Sequence, residues 1–149
     1  KNNYGLYIKK IKEIDDFDEK HQKKKEDFIV QLINYSQQLA KFYIQRQTLY
    51  ENLKENPISK ENKNEIIIAF KNNNTKIPDQ VFINKLSKKL NVPSNQTEEW
   101  FLWIEKCYQY LNCKKEYYET LKKLSDYEKE YELKTNNFMI QKPIIEKKD

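Results

Sequence analysis

Few side chains in this sequence are suited to chemistry, and their number limits what they can form. The chain of 149 residues contains one His, two Cys and one Gly. A conventional zinc site takes four such ligands, or three and an open position, which His21, Cys107 and Cys113 cannot supply. A phosphate-binding loop needs several glycines where the backbone approaches the phosphate. The composition therefore argues against an enzyme, and it predicts neither a cofactor nor a metal.

His21, Cys107 and Cys113 can also be explained as structural residues without a role in chemistry. Cys107 and Cys113 are six residues apart on one predicted helix, so their side chains point in different directions and cannot bridge easily. We expect two buried or half-buried thiols in a reducing compartment. His21 stands in the run His-Gln-Lys-Lys-Lys, where we expect a solvated side chain.

The positive charge says little about binding partners. The net charge is +5, and basic and acidic residues are distributed evenly along the chain. Lys, Asn, Ile, Tyr and Phe are abundant, and all five can be encoded by codons of A and T alone, so codon bias explains much of the lysine. Arg46 is the only arginine, although Arg is the residue that best clamps phosphate and reads guanine. Nucleic-acid binding is possible but gains no support from charge.

Targeting signals are also missing from the sequence as given. No stretch approaches 18 consecutive apolar residues, and residues 1–15 contain charges where a secretory signal has an apolar core. The sequence predicts a cytoplasmic protein that does not bind a membrane.

A first long helix is predicted over residues 18–55, which contain no Pro or Gly. Apolar residues recur there at alternating steps of four and three, the spacing of a heptad repeat, interrupted by Arg46. This first seam consists of Phe28, Leu32, Tyr35, Leu39, Phe42, Leu49 and Leu53. A flanking stripe of Ile29, Ile33, Ala40, Tyr43 and Tyr50 widens the apolar face. We expect so wide a face to pack against more than one helix.

A second long helix is predicted to begin after Pro93, with Asn95 as its N-cap and Glu98 completing a capping box. It is expected to end near Thr135. Its seam is predicted at Trp103, Cys107, Tyr110, Tyr117, Leu121, Leu124 and Tyr131, with Lys114 and Glu128 interrupting it. Two long helices of matched length most simply fold back on each other. In the alternative arrangement, each helix pairs with a different protein.

The segment between the long helices is predicted to be helical as well. Ser59 caps a helix that ends at Asn72-Asn73-Asn74, because Asn tolerates left-handed turns. Pro78 occupies the first turn of the next helix. Its apolar side is predicted to contain Val81, Phe82, Leu86 and Leu90. A short turn through Pro93 then leads to the helix of Trp100 and Phe101, which are expected to fill a small core.

The predicted fold is therefore all-α, a long antiparallel helical hairpin or coiled coil with a three-helix knob of helix-turn-helix type at its tip. The segments are an N-terminal docking arm over 1–17, a long helix over 18–55, the knob over 56–103, a long helix over 97–135 that continues the third knob helix, and a C-terminal arm over 136–149. Both arms are expected to be extended and to order against a partner.

Residues 66–101 resemble a homeodomain, so the knob is homeodomain-like. The matching positions are core positions: Ile66, Phe70, Pro78, Leu86, Ser87, Leu90, Val92, Trp100 and Phe101. The DNA-reading positions differ. Trp103 stands where the family has its adenine-reading Asn, Glu105 replaces a phosphate-binding Arg, and Glu99 and Leu102 replace base-contacting residues. Only Lys106 keeps a suitable charge.

A second resemblance covers residues 66–121, which are similar to the helical segment of coiled-coil domain-containing proteins 112 and 148, proteins of cilia and centriolar satellites. The run that carries it is Trp103, Tyr110-Leu111, Lys114-Lys115 and Leu121, where the family typically has Trp at the last position. The resemblance implies a non-enzymatic structural protein of the microtubule or ciliary apparatus. Its implied partners are proteins of a large complex, including tubulin or axonemal coiled-coil proteins.

The sequence thus predicts a structural interaction subunit, a helical spacer or clamp located at the cytoskeleton or cilium. Trp103, at an outward-facing position of the homeodomain pattern, must be covered by the first long helix or by another protein. Arg46 is expected to fix the register or to pair with an acid on the opposing helix. The candidate partner-binding residues are Trp103, Leu111, Arg46, Phe138 and Ile140. The alternative is a nuclear, homeobox-like DNA-binding accessory protein that uses Lys85, Lys88, Lys89 and Lys106.

Overall fold

The computed structural model describes the backbone of residues 2–147 and the side chains of residues 4–137. Four helices make up its regular structure: α1 (Asn2–Leu53), α2 (Lys60–Asn72), α3 (Gln80–Leu90) and α4 (Ser94–Lys147). Residues 2–147 contain no strand, so the all-α prediction is confirmed. The helices form two units. Unit 1 contains the residues up to Asn34 and those from Glu116 onward, and unit 2 is Tyr35–Lys115.

The long helices extend further than the sequence predicted. α1 has 52 residues and α4 has 54. Residues 2–17 lie within α1 instead of forming an extended arm, because no proline interrupts them and the single glycine costs only about 1 kcal/mol in a helix. α4 begins at Ser94, ahead of the predicted cap Asn95, and continues past Thr135 to Lys147. Its residues 136–147 are therefore helical as well, since two asparagines disfavour a helix too weakly to end it.

The two short helices begin and end close to the predicted signals. The Ser59 Oγ accepts a hydrogen bond from the backbone N–H of Asn62 at 3.1 Å, which confirms Ser59 as the cap of α2. Asn74, just beyond α2, has a φ of 57°, the left-handed conformation that Asn tolerates. At α3 the cap is Asp79, whose carboxylate accepts from the N–H of Phe82 at 2.9 Å. Pro78 therefore precedes the helix and does not occupy its first turn.

One apolar core holds unit 2 together, and all four helices contribute to it. Leu53 comes from α1, Ile66 and Phe70 from α2, Ile83 and Leu86 from α3, and Trp100, Phe101 and Ile104 from α4. The prediction that Trp100 and Phe101 fill a core is confirmed. The prediction for α3 is partly wrong, because Val81 and Phe82 are 63% and 44% exposed. The inward row of α3 consists of Ile83, Leu86 and Leu90, which leaves Val81 and Phe82 outside it.

Two hydroxyl groups join α3 to α4 inside this core. Ser87 Oγ lies 2.8 Å from Thr97 Oγ1, and both residues are buried. Ser87 Oγ is also 2.7 Å from the carbonyl oxygen of Ile83. On the other side of α3, the Asn62 amide of α2 donates to the carbonyl of Leu90 at 3.2 Å. These bonds pair polar groups that would be costly to bury alone, and they fix how the short helices sit on α4 within unit 2.

The first seam lies on the less exposed side of α1, as predicted. Leu53 is buried, and the other six seam residues are half-buried, as is Arg46 in the gap. The flanking stripe is different. All five of its residues are exposed, including Ile33 at 50% and Tyr43 at 46%. The expectation that the wide face packs against more than one helix is therefore not met within the described residues.

The α4 seam is partly as predicted. Its predicted residues are half-buried, but the predicted core position Lys114 is exposed. Cys113 and Thr120 are buried instead, each 5% exposed. They lie seven residues apart, with Tyr117 between them. The heptad spacing is therefore kept, but the buried positions come one residue earlier than predicted. The Cys113 thiol contacts the carbonyl oxygen of Tyr35 at 3.5 Å, and a small side chain suits so close an approach.

We expect Phe101→Ala to lower the free energy of unfolding of unit 2 by about 3–5 kcal/mol, because it leaves a cavity in a fully buried site. Val81→Ala on α3 is the control, since its side chain is exposed and its loss should change the free energy by less than about 0.5 kcal/mol. Urea unfolding followed by circular dichroism measures both. Equal effects of the two substitutions would contradict the assignment of the core.

Candidate interaction surfaces

Trp103 is half-buried and already has partners inside unit 2. Its ring centroid lies 5.5 Å from that of Trp100 in an edge-on arrangement and 6.3 Å from that of Tyr50 on α1. The ammonium of Lys63 lies over both tryptophan rings, 4.8 Å from Trp100 and 5.6 Å from Trp103, a cation–π geometry. Trp103 was expected to be covered either by the first long helix or by another protein. In the structure, Tyr50 of the first long helix lies against it.

Arg46 contacts aromatic rings and a thiol. Its guanidinium lies 4.8 Å from the ring centre of Tyr110 on α4 and 5.4 Å from that of Tyr43. It also lies near the Cys107 thiol. The predicted acid on the opposing helix is thus replaced by the ring of Tyr110. A planar guanidinium over a ring is held in one orientation, which is compatible with the expected role in register.

The Cys107 thiol is half-buried, and burial raises its pKa above the ordinary value, while the charge of Arg46 and its hydrogen bond oppose the rise. Cys107 is therefore mostly protonated at neutral pH and a weak nucleophile. Cys113 is buried and Cys107 is half-buried, as the sequence predicted.

Leu111 remains open to solvent. It is 60% exposed on α4, and Tyr108, one turn earlier on the same side, is 37% exposed. On α1 of unit 2, Ile44 is 63% exposed beside Tyr43 of the flanking stripe. Single exposed apolar residues are ordinary, but a row of them on one helix is typical of an interaction surface. Phe138 and Ile140 lie in α4, and their side chains fall outside the described residues.

The four lysines proposed for DNA binding do not form a single exposed surface. Lys85, Lys88 and Lys89 are exposed on α3, whereas Lys106 is half-buried on α4 and donates to Gln109 Oε1 at 3.2 Å. The α4 positions that read bases in a homeodomain include Trp103, which lies against α1. Glu98 and Glu99 are exposed at the start of the same helix, where carboxylates repel a polyanion.

His21 is the main residue whose environment the sequence analysis mispredicted. It is only 6% exposed, so the expectation of a solvated side chain is wrong. In unit 1 its ring stacks on Tyr131, with centroids 3.7 Å apart, and on Tyr127 at 4.9 Å. The signal that could have found it is periodic: residue 21 continues the first seam toward the N-terminus through Phe17, His21 and Phe28.

Charged groups surround the buried imidazole in unit 1. His21 Nε2 lies 3.2 Å from Glu128 Oε1, and the Lys25 ammonium lies 3.5 Å from the same oxygen. Lys24 lies over the ring of Tyr127, 4.7 Å from its centre. His21 Nδ1 is buried without a hydrogen-bond partner among the described residues. Glu128 was predicted to interrupt the α4 seam. It is half-buried there because His21 and Lys25 of α1 face it.

Two classes of site are missing from the part of the chain that the structure describes. There, no group of three or more His, Cys, Asp or Glu side chains is placed to hold a metal ion. Within the same residues, no helix is long and apolar enough to cross a membrane.

We expect His21→Ala to loosen unit 1, because it leaves a gap beside two tyrosine rings and removes a polar partner of Glu128. A loss of about 1–3 kcal/mol is typical for such a buried site. Hydrogen exchange of peptides covering residues 14–30 should become faster. Gln22→Ala, at the neighbouring exposed position, should leave exchange unchanged. Unchanged exchange in His21→Ala would contradict the stacked arrangement.

We also expect the stability of unit 1 to fall at alkaline pH because of Tyr131. Its hydroxyl donates to Asp18 Oδ1 at 2.6 Å, and this bond, with a smaller effect of burial, raises the pKa of Tyr131. A raised pKa favours the protonated phenol in the folded state, so its stabilisation is complete below about pH 10 and is lost as the pH rises through the raised value. Urea midpoints at increasing pH should fall more steeply in the wild type than in Tyr131→Phe. Parallel curves would contradict the bond, and Tyr118→Phe is the exposed-tyrosine control.

Neither the sequence nor the structure of this chain matches a known relative: comparisons with protein-family models, curated proteins and solved structures find no match. The resemblances therefore rest on the motif residues alone. Function has to be argued from the surfaces that the fold leaves open and from those that it covers.

Proposed function

We propose that the chain is a non-enzymatic structural subunit of a larger assembly and that it binds a partner protein through α1. The observation that carries the proposal is the flanking stripe, which has the apolar spacing of a buried helix face and yet is exposed along its whole length. Such rows are typical of surfaces that another helix covers. A partner helix would complete the packing that the sequence pattern predicts.

The stripe lies beside the first seam, which is already occupied. In unit 1, Ile29 and Ile33 are 39% and 50% exposed, while their neighbour Phe28 faces Tyr127 of α4. In unit 2, Tyr43 contacts Tyr110 with one edge and is still 46% exposed. One side of α1 thus packs within the chain, and an adjacent side is free for a partner.

The role we propose is that of a helical spacer or clamp. In unit 1, Phe17 and Phe28 of α1 contact Tyr131 and Tyr127 of α4, and the order is reversed along the two helices as in an antiparallel pair. Unit 2 has the same reversal, with Tyr43 and Tyr50 against Tyr110 and Trp103. Within each unit the contacts are those of an antiparallel helix pair, and they support the proposed role as a spacer or clamp.

The location we propose, at microtubules or cilia, rests on the resemblance to coiled-coil domain-containing proteins 112 and 148. Tubulin or an axonemal coiled-coil protein is the partner that this resemblance implies. The alternative of a homeobox-like DNA-binding accessory protein has weaker support, since Lys106 is half-buried and Trp103 lies against α1. A gel shift that weakens steeply between low and moderate salt would favour it.

Co-purification from native extract tests the proposal. We expect Ile33→Ser with Ile44→Ser to reduce partner recovery about tenfold or more, because two exposed apolar anchors are lost from the α1 surface. Asn34→Ser with Asn52→Ser, two exposed positions of the same helix that lie outside the stripe, is the matched control and should retain the partner.

Both double variants should keep the helicity of the wild type, since all four side chains are exposed. Full recovery of the partner by the isoleucine variant would overturn the proposed role of α1. Equal losses in both double variants would overturn it too, because the apolar character of the stripe would then be irrelevant.

A further inference from the structure

We propose that α2 and α3 form a second docking surface, one that binds an acidic protein segment carrying a bulky apolar side chain. The surface is the outer side of these two helices in unit 2, with Val81, Phe82 and Ile68 as its apolar part and Lys85, Lys88 and Lys89 as its basic part. The inference extends the proposed function, since it adds a second partner site to an interaction subunit.

Although basic and acidic residues are evenly distributed over long stretches of the chain, the short segment that forms α2, α3 and their connection is locally basic. Residues 60–90 contain seven lysines and three acidic residues, so they hold a net charge of +4 out of +5 for the whole chain. Lys85 and Lys88 form no ion pair among the described residues, and Lys89 lies 3.9 Å from Glu65, the longest ion pair described. The exposed lysines of α3 are thus available to carboxylates of a partner.

Both short helices also have exposed apolar side chains. Val81 is 63%, Ile68 51% and Phe82 44% exposed. Phe82 also borders a depression of about 200 Å³ between α2 and α3, whose other walls include Ala69 and Pro78. Small-molecule sites typically occupy about 300–1,000 Å³, so this depression is better suited to one apolar side chain of a peptide.

An acidic peptide fits this surface better than a nucleic acid. The surface has no arginine, the residue that best clamps phosphate. Its apolar residues interrupt the lysines, so it offers no continuous basic track for a phosphate backbone. Asp79 lines the depression and Glu65 pairs with Lys89, so an anion is best placed at Lys85 and Lys88. A peptide can place its carboxylates against Lys85 and Lys88 and insert its apolar side chain beside Phe82. Charge would then attract the partner, and the apolar contact would select it.

Fluorescence anisotropy with the full chain tests the surface. The probe is a labelled peptide in which a run of glutamates has one central leucine, compared with the same peptide with alanine in that place. We expect the leucine peptide to bind several-fold more tightly, because its side chain reaches the depression. Lys85→Glu with Lys88→Glu should weaken its binding about tenfold or more, since two favourable charge pairs become repulsive.

Two further variants separate the contributions. Phe82→Ala should abolish the preference for leucine over alanine while leaving the charge-dependent binding in place. Lys122→Glu with Lys123→Glu, two exposed lysines of α4, makes the same change of net charge elsewhere and should leave the affinity unchanged.

The proposal is overturned if this α4 control weakens binding as much as the α3 variant, if leucine gives no advantage, or if a DNA duplex competes more strongly than the peptide. These outcomes would not decide whether a partner binds the α1 stripe. Peptide binding is measured on the purified chain, and Ile33→Ser with Ile44→Ser should not alter it.

Discussion

Each of the two long helices has an apolar face that it cannot bury by itself, and the rest of the structure depends on this constraint. An isolated helix is marginally stable in water, and most helical stability in proteins comes from packing of an apolar side. In unit 1 that packing is provided by aromatic rings of α1 against tyrosines of α4. In unit 2 the short helices α2 and α3 add to it, and Leu53 of α1 joins Phe101 in one core.

The same constraint explains why polar residues occur in unusual places. His21 and Lys25 lie on the side of α1 that faces α4, where Glu128 and two tyrosine rings offset the cost of burying an imidazole. Arg46 occupies the corresponding side in unit 2 and is covered by Tyr110 and Tyr43. Ring faces serve as partners for cations in both units, with Lys24 over Tyr127 in unit 1 and Arg46 over Tyr110 in unit 2.

Periodicity predicted most of the helices and the seam of α1, because a repeat of three and four residues has one structural meaning over so long a run. The cap at Ser59 and the turn at Asn74 were predictable from local chemistry. The rotation of α3 about its axis, which exposes Phe82, was not predictable. A shift of the apolar pattern by one residue decides which side chain faces the core. The heptad spacing places His21 on the seam side of α1, but the tyrosines that cover it lie more than one hundred residues away, and no local signal identifies them. Trp103 was expected to be covered by the first long helix or by another protein, and the sequence did not decide between the two. Tyr50 of α1 lies against it.

The central claim is that the flanking stripe of α1 is covered by another protein in the cell. Cross-linking mass spectrometry in native extract tests it most directly, because Lys41 is exposed on α1 within one turn of Ile44. The account predicts cross-links from Lys41 to one recurring partner protein, which disappear when Ile33 and Ile44 are replaced by serine. Cross-links from Lys41 that remain entirely within this chain would contradict it.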